Sequence, residues 1–204
     1  MPTESLRKVT CYSEDEGGFM SRSQEIRGAL LSPLLLALVR WGVTPGQLTL
    51  LSLLTGLASC PVFVWGSRPL SFLLLLAHVL LDGIDGPLAR LTGRASNRGS
   101  FNDSASDQAV VTCHALALAH AGTAGIWPAG LYLSTYGIVV CFAMVRNAMG
   151  VPYSWLFRPR FLVYAWVPVE LYLWHGSLDV LLWGLTGLLG LKTLTGFLRI
   201  RGTL

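Results

Sequence analysis

Between Asp82 and Asp107 the chain reads DGIDGPLARLTGRASNRGSFNDSASD, placing four carboxylates, Asp82, Asp85, Asp103 and Asp107, inside or at the ends of two apolar segments. A bare charge is costly there, so something must neutralise them. On helices turning about 100° per residue, Asp82, Asp85, Gly86 and Ala89 share one narrow face, while Asp103 and Asp107 stack one turn apart on the next helix. Packed side by side, the two helices would bring four carboxylates to one point. Such a cluster repels itself unless divalent cations sit in it, and an all-oxygen set favours hard ions such as Mg²⁺ or Mn²⁺. Gly86 and Ala89 leave the acidic face without bulk, so that a flat or phosphate-bearing ligand can lie against the backbone, and Arg90 adds a positive fork for phosphate oxygens. The plainer reading of the two small residues is close helix packing.

The elements that must position these groups are membrane-like. The 204 residues are 52% hydrophobic and only 13% charged, the balance of one membrane domain and not of a soluble one. A net charge of +4 by itself allows nucleic acid, membrane or anionic substrate as partner. Its distribution decides against nucleic acid. Cys11, Cys60, Cys113 and Cys141 show no paired spacing, and the last three, lying in apolar runs, are expected to be buried thiols.

Residues 1–22 are polar, with an acidic cluster at Glu14, Asp15 and Glu16, and have no signal-peptide pattern; they are expected to form a mobile tail. Residues 23–41 predict a helix with Ile26, Leu30, Leu31, Leu34, Leu35 and Leu38 at helical spacing. The uncharged run between Arg27 and Arg40 is too short to span and holds Pro33, so an amphipathic helix lying on the membrane surface is expected. Thr44 can cap the next helix, with Pro45 at its first position. Six apolar runs follow, at about 46–66, 70–91, 104–123, 126–147, 161–175 and 178–196. The expected fold is all-α: a six-transmembrane-helix bundle over residues 42–204, with the N-terminal interfacial helix beside it. If both termini are cytoplasmic, every Lys and Arg except Arg68 falls on the inner side, as the positive-inside rule requires, and the acidic cluster lies at the cytoplasmic end of the second and third spans.

The pattern Asp82-x2-Asp85-Gly86-x2-Ala89-Arg90-x8-Gly99-x3-Asp103-x3-Asp107 resembles, at every fixed position and spacing, the signature of the CDP-alcohol phosphotransferase (CDP-alcohol phosphatidyltransferase) family of integral membrane enzymes. The resemblance implies a phospholipid-synthesis transferase that moves a phosphoryl-linked group from a CDP-alcohol to a second alcohol and releases CMP. It implies two Mg²⁺ or Mn²⁺ ions held by Asp82, Asp85, Asp103 and Asp107, with Asp107 also the general base, and a CDP site at Gly86, Ala89, Arg90 and Gly99. A homodimer is usual in that family. The compact six-helix size resembles the branch in which CDP-diacylglycerol donates to a small polar alcohol; the other branch passes CDP-choline or CDP-ethanolamine to diacylglycerol. The chain departs from the family's Thr-Pro-Asn at Gly46, and Asp107-Gln108 differs from the Asp-Lys of glycerol-phosphate enzymes, so the acceptor is not named.

Arg146, Arg158 and Arg160 lie on the expected inner side and can form a pocket for a phosphorylated acceptor; topology and lipid-headgroup contact are their simpler roles. His78 and His114 sit one turn before Asp82 and two turns after Asp107, where core packing is the plainer role than contact near a metal. Glu170 has no role readable from the sequence. A divalent-cation channel explains the acids equally well, but not Gly86, Ala89, Arg90 and Gly99.

Overall fold

The computed structural model describes residues 31–150 and 158–204, and every regular element among them is a helix: α1 (Leu31–Arg40), α2 (Pro45–Trp65), α3 (Arg68–Leu91), α4 (Asn97–His120), α5 (Ile126–Ala148), α6 (Pro159–Tyr172) and α7 (Ser177–Arg201). The six apolar runs therefore correspond to α2–α7. Four of them, α2, α3, α5 and α7, are long and apolar enough to cross a membrane. The two that are not have separate reasons. α4 has the length, at 24 residues, but its first half carries the polar stretch NRGSFNDSASD; α6 has 14 residues, about 21 Å of helix against a hydrocarbon layer of about 30 Å.

Local chemistry sets the boundaries. Gly42, at φ 70°, ends α1 in the left-handed conformation that costs glycine least. Thr44 then starts α2 with a reciprocal cap: its hydroxyl accepts from the Gln47 amide at 3.3 Å, and its own amide donates to the Gln47 side chain at 2.8 Å. Ser96 caps α4 through the Gly99 amide at 3.1 Å. At the far end of the bundle two acids cap neighbouring helices. Asp179 accepts from the Gly125 amide at the start of α5, at 2.8 Å. Glu170 is buried and accepts from the Gly176 and Leu178 amides, each at 2.7 Å, and from the Ser177 hydroxyl at 3.3 Å. Glu170, which the sequence left without a role, thus closes the N-terminus of α7, where a carboxylate also meets the positive end of the helix dipole.

Packing runs α3 on α2, α2 on α4, α4 on α5, α5 on α7 and α7 on α6. The main core includes Leu75, Val110, Leu118, Tyr132, Leu178 and Leu189. Leucines exposed along α2, α3 and α7 form the apolar outer surface that lipid covers in a membrane bundle. α1 docks by one edge, burying Leu35 against Leu48 and Leu88 while Leu34, Leu36 and Val39 stay exposed. The expected tail at 1–22 and the first part of the expected interfacial helix lie outside the described residues. The buried-thiol expectation holds for Cys60, whereas Cys113 is half-buried and Cys141 is exposed on the outer face of α5, because a helix at the bundle surface turns part of its apolar sequence outward.

Candidate metal centre

The four aspartates stand on the C-terminal half of α3 and the N-terminal half of α4, and both helices pack on α2. Gly56 permits this three-way contact. A Cβ there would fall 2.6 Å from Val110 of α4 and 3.1 Å from the His78 ring of α3, so only a bare backbone lets both neighbours approach. His78 is fixed in the same seam, its Nδ1 bonded to the Ser52 hydroxyl at 2.8 Å; it is a buried, hydrogen-bonded core histidine, as the plainer reading has it.

This packing brings one carboxylate oxygen from each of Asp82, Asp103 and Asp107 within 4.8 Å of the others. Oxygens bound to a single hard cation at 2.0–2.6 Å stand about 3–5 Å apart, so the donor type and the spacing both suit such an ion. Asp107 Oδ1 is buried with no hydrogen-bond partner among the described residues, although the other oxygen of the same carboxylate meets Arg160. Asp85 is buried one turn further along α3, within Coulombic reach of Asp82 and Asp103 but outside that triplet, and accepts from the Thr49 hydroxyl at 2.7 Å.

α6 supplies positive charge to the same place. The Arg160 side chain is only 2% exposed; it donates to Asp82 at 2.9 Å and pairs with Asp107 as well. Arg158, at the α6 N-cap, lies 3.9 Å from Asp82 and is partly open to solvent. A guanidinium bridging two of three converging carboxylates does part of the neutralising that a cation does. Arg146 lies in the last turn of α5.

The remaining sequence candidates, Gly86, Ala89, Arg90 and Gly99, lie in the last part of α3 and the first turn of α4. Among the described residues a Cβ on Gly86 would meet only the Arg90 guanidinium, at 3.6 Å, so packing among these helices does not require glycine there and the plainer reading of that position loses its support. Ala89 is half-buried and Arg90 exposed. Gly99, exposed in the first turn of α4, gives its amide to the Ser96 cap. Sequence reasoning missed Thr49 and the pairing of Arg160 with Asp82 and Asp107. Neither leaves a local signal, since the partners are 36 and 78 residues apart in the chain.

Known proteins resemble the chain in sequence and in fold. Over 137 residues it is 30% identical to the archaetidylinositol phosphate synthase of Aeropyrum pernix, a match covering 67% of this chain and 64% of the relative. Over 67 residues it is 39% identical to the archaetidylinositol phosphate synthase of Pyrococcus horikoshii, covering 33% of this chain and 36% of the relative. The matched stretches span less than two thirds of either relative's length. In fold, the chain is similar to the Mycobacterium tuberculosis phosphatidylinositol phosphate synthase solved with CDP-DAG bound, at a TM-score of 0.71 and 19% identity, over 83% of this chain and 92% of that one. The same enzyme, solved with manganese and citrate, gives a TM-score of 0.69 at 20% identity, over 81% and 86%. Residues 42–192 match the CDP-alcohol phosphatidyltransferase family model, well over half of the chain, and with its four span-length apolar helices the chain is an integral membrane member of that family.

Proposed function

We propose that this protein transfers a phosphatidyl-type group from a CDP-linked lipid, of the CDP-diacylglycerol class, to a small polar alcohol and releases CMP. The observation that carries the proposal is the convergence of Asp82, Asp103 and Asp107, with Asp107 Oδ1 buried and unpaired beside them. Asp82, Asp85, Asp103 and Asp107 would hold two divalent cations, Mg²⁺ or Mn²⁺; such ions, when bound, draw charge from the diphosphate and stabilise the leaving oxygen. The acceptor hydroxyl attacks the β-phosphorus, forming a new P–O bond as the bond to CMP breaks. Asp107 takes the hydroxyl proton as general base. Gly86 and Ala89 give the nucleotide a surface free of bulk, Gly99 belongs to the same lining, and Arg90 binds the diphosphate.

The acceptor is proposed to be a phosphorylated polyol of the inositol phosphate type. Arg158 and Arg160 stand beside Asp82 where an acceptor phosphate would arrive, with Arg146 assigned to the same pocket. Two relatives named as archaetidylinositol phosphate synthases support that choice over glycerol phosphate or serine. The alternative donors, CDP-choline or CDP-ethanolamine with diacylglycerol as acceptor, have no observation in their favour. A cation channel would need acids continuing through the bundle, and the buried acid at the other end, Glu170, is committed to capping α7.

The proposal includes six spans, α4 and α6 crossing within the bundle, α1 lying at the interface, both termini and the acidic site on the cytoplasmic side, and a homodimer. The test is CMP release by purified protein with Mn²⁺ or Mg²⁺, CDP-diacylglycerol and a panel of inositol phosphate, inositol, glycerol phosphate and serine. Release that depends on inositol phosphate is expected. No CMP from any combination, the CDP-choline and CDP-ethanolamine arms included, would remove the reading.

A further inference from the structure

A cavity of about 380 Å³ lies at the end of the bundle away from the carboxylates, walled by Phe63, Leu75, His114, Val167 and Leu171, with Arg68 at its exposed edge. Arg68 opens α3 and Asp82 lies 14 residues on, so the two are about 20 Å apart along the helix. The volume is within the usual range for a small-molecule site, and the walls are almost wholly apolar.

Two features of this cavity ask for a polar partner at different depths. His114 is 2% exposed, and neither ring nitrogen has a hydrogen-bond partner among the described residues. A second void of about 10 Å³, which His114 shares with Tyr132 and Tyr164, has room for about one water, enough for one nitrogen. The Tyr132 and Tyr164 hydroxyls on that void have no partner among the described residues either, so one water there does not serve every group, and His114 also lines the larger cavity. At the edge, Arg68 makes no ion pair with any described residue and rests on the Phe63 ring, 5.9 Å from its centroid. The start of α3 is only partly satisfied: Ser67 makes no side-chain cap bond, the first turn holds no acid, Pro69 has no amide hydrogen and the Ser71 amide is bonded to the Ser67 carbonyl, so the positive helix end beside Arg68 adds little beyond the Arg68 charge itself. Phe63 touches both polar positions, its ring meeting the His114 ring edge-on at 6.1 Å between centroids.

We infer that this cavity is a binding site for an anionic phospholipid, distinct from the carboxylate site. The phosphate sits on the Arg68 guanidinium at the positive end of α3, an ester carbonyl accepts from His114, and one acyl chain fills the apolar space. Charge complementarity and the order of the groups select this occupant: anion, then hydrogen-bond acceptor, then hydrocarbon. A free fatty acid has no acceptor left for His114 once its carboxylate is on Arg68. The inference stands whether or not the transfer reaction is as proposed above, because none of its residues belongs to the acidic cluster.

The test is native mass spectrometry of the full chain in detergent, titrated with phosphatidylglycerol, phosphatidylcholine or palmitate. One phosphatidylglycerol per chain is expected to bind, weakened roughly tenfold by Arg68→Gln, an exposed position that leaves folding intact, and lost in Leu171→Trp, which fills the cavity. Adding CDP with Mn²⁺ should leave it in place. Equal binding of palmitate or phosphatidylcholine, no change in Arg68→Gln, or displacement of the lipid by CDP would each overturn the inference; the last would mark it as the tail of a substrate in the acidic site.

Discussion

Arg160 offers the sharpest test of how the acidic cluster is held together. Its guanidinium is buried and bridges Asp82 and Asp107, so in the absence of metal it supplies the main neighbouring positive charge. Arg160→Met keeps most of the side-chain volume and the packing on Phe161 while removing that charge. Removing one partner of a buried ion pair costs about 3–5 kcal/mol, because the charge left behind is uncompensated. For a chain of this size that is a fall in Tm of about 6–20 °C in EDTA. A cation bound to the triplet offsets part of the loss, since a ligand at 100 times its Kd stabilises by about 2.7 kcal/mol and at 1,000 times by about 4.1 kcal/mol. The variant, lacking a competing guanidinium, should also bind the ion more tightly than the parent. Thermal unfolding of both proteins in detergent, with EDTA and with graded Mn²⁺, reads this directly. The gap in Tm is expected to close by half or more as Mn²⁺ rises. A gap that stays constant would show that the triplet does not take up the charge that Arg160 gives up, and the metal reading would go with it.

Other outcomes follow from the same geometry. Asp107→Asn should leave a folded protein whose CMP release falls at least a hundredfold, the scale of a lost general base; near-normal turnover would remove that assignment. Neutralising Arg146 or Arg158 should raise the acceptor's KM several-fold more than the donor's, measured by varying each substrate in turn. Glu170→Ala leaves two backbone amides without their acceptor and should cost about 2–4 kcal/mol of stability in thermal or denaturant unfolding, with KM values unchanged in the protein that remains folded. Gly56→Ala places a methyl 2.6 Å from a stiff, fully buried valine and should cost about 1–3 kcal/mol, read by the same unfolding assay.

The chain by itself determined the helices and the chemistry. Apolar runs and caps such as Thr44-Pro45 set most boundaries closely, because capping and apolar length act locally, but α4 begins at Asn97, well before its apolar run at 104, since Ser96 caps a polar first turn, and α7 continues past 196 to Arg201. The aspartates at one-turn spacing were legible for the same reason: a helix converts sequence spacing into a shared face. Only the tertiary structure decided which groups meet. Asp85 turned to Thr49 and Asp82 to Arg160 through contacts dozens of residues apart, and Glu170 became a helix cap because α7 begins where α6 ends. Cys141 turned outward and Gly56 became the seam of three helices for a like reason. A helix's own sequence marks its apolar residues, while the neighbour it packs against chooses which of them are covered.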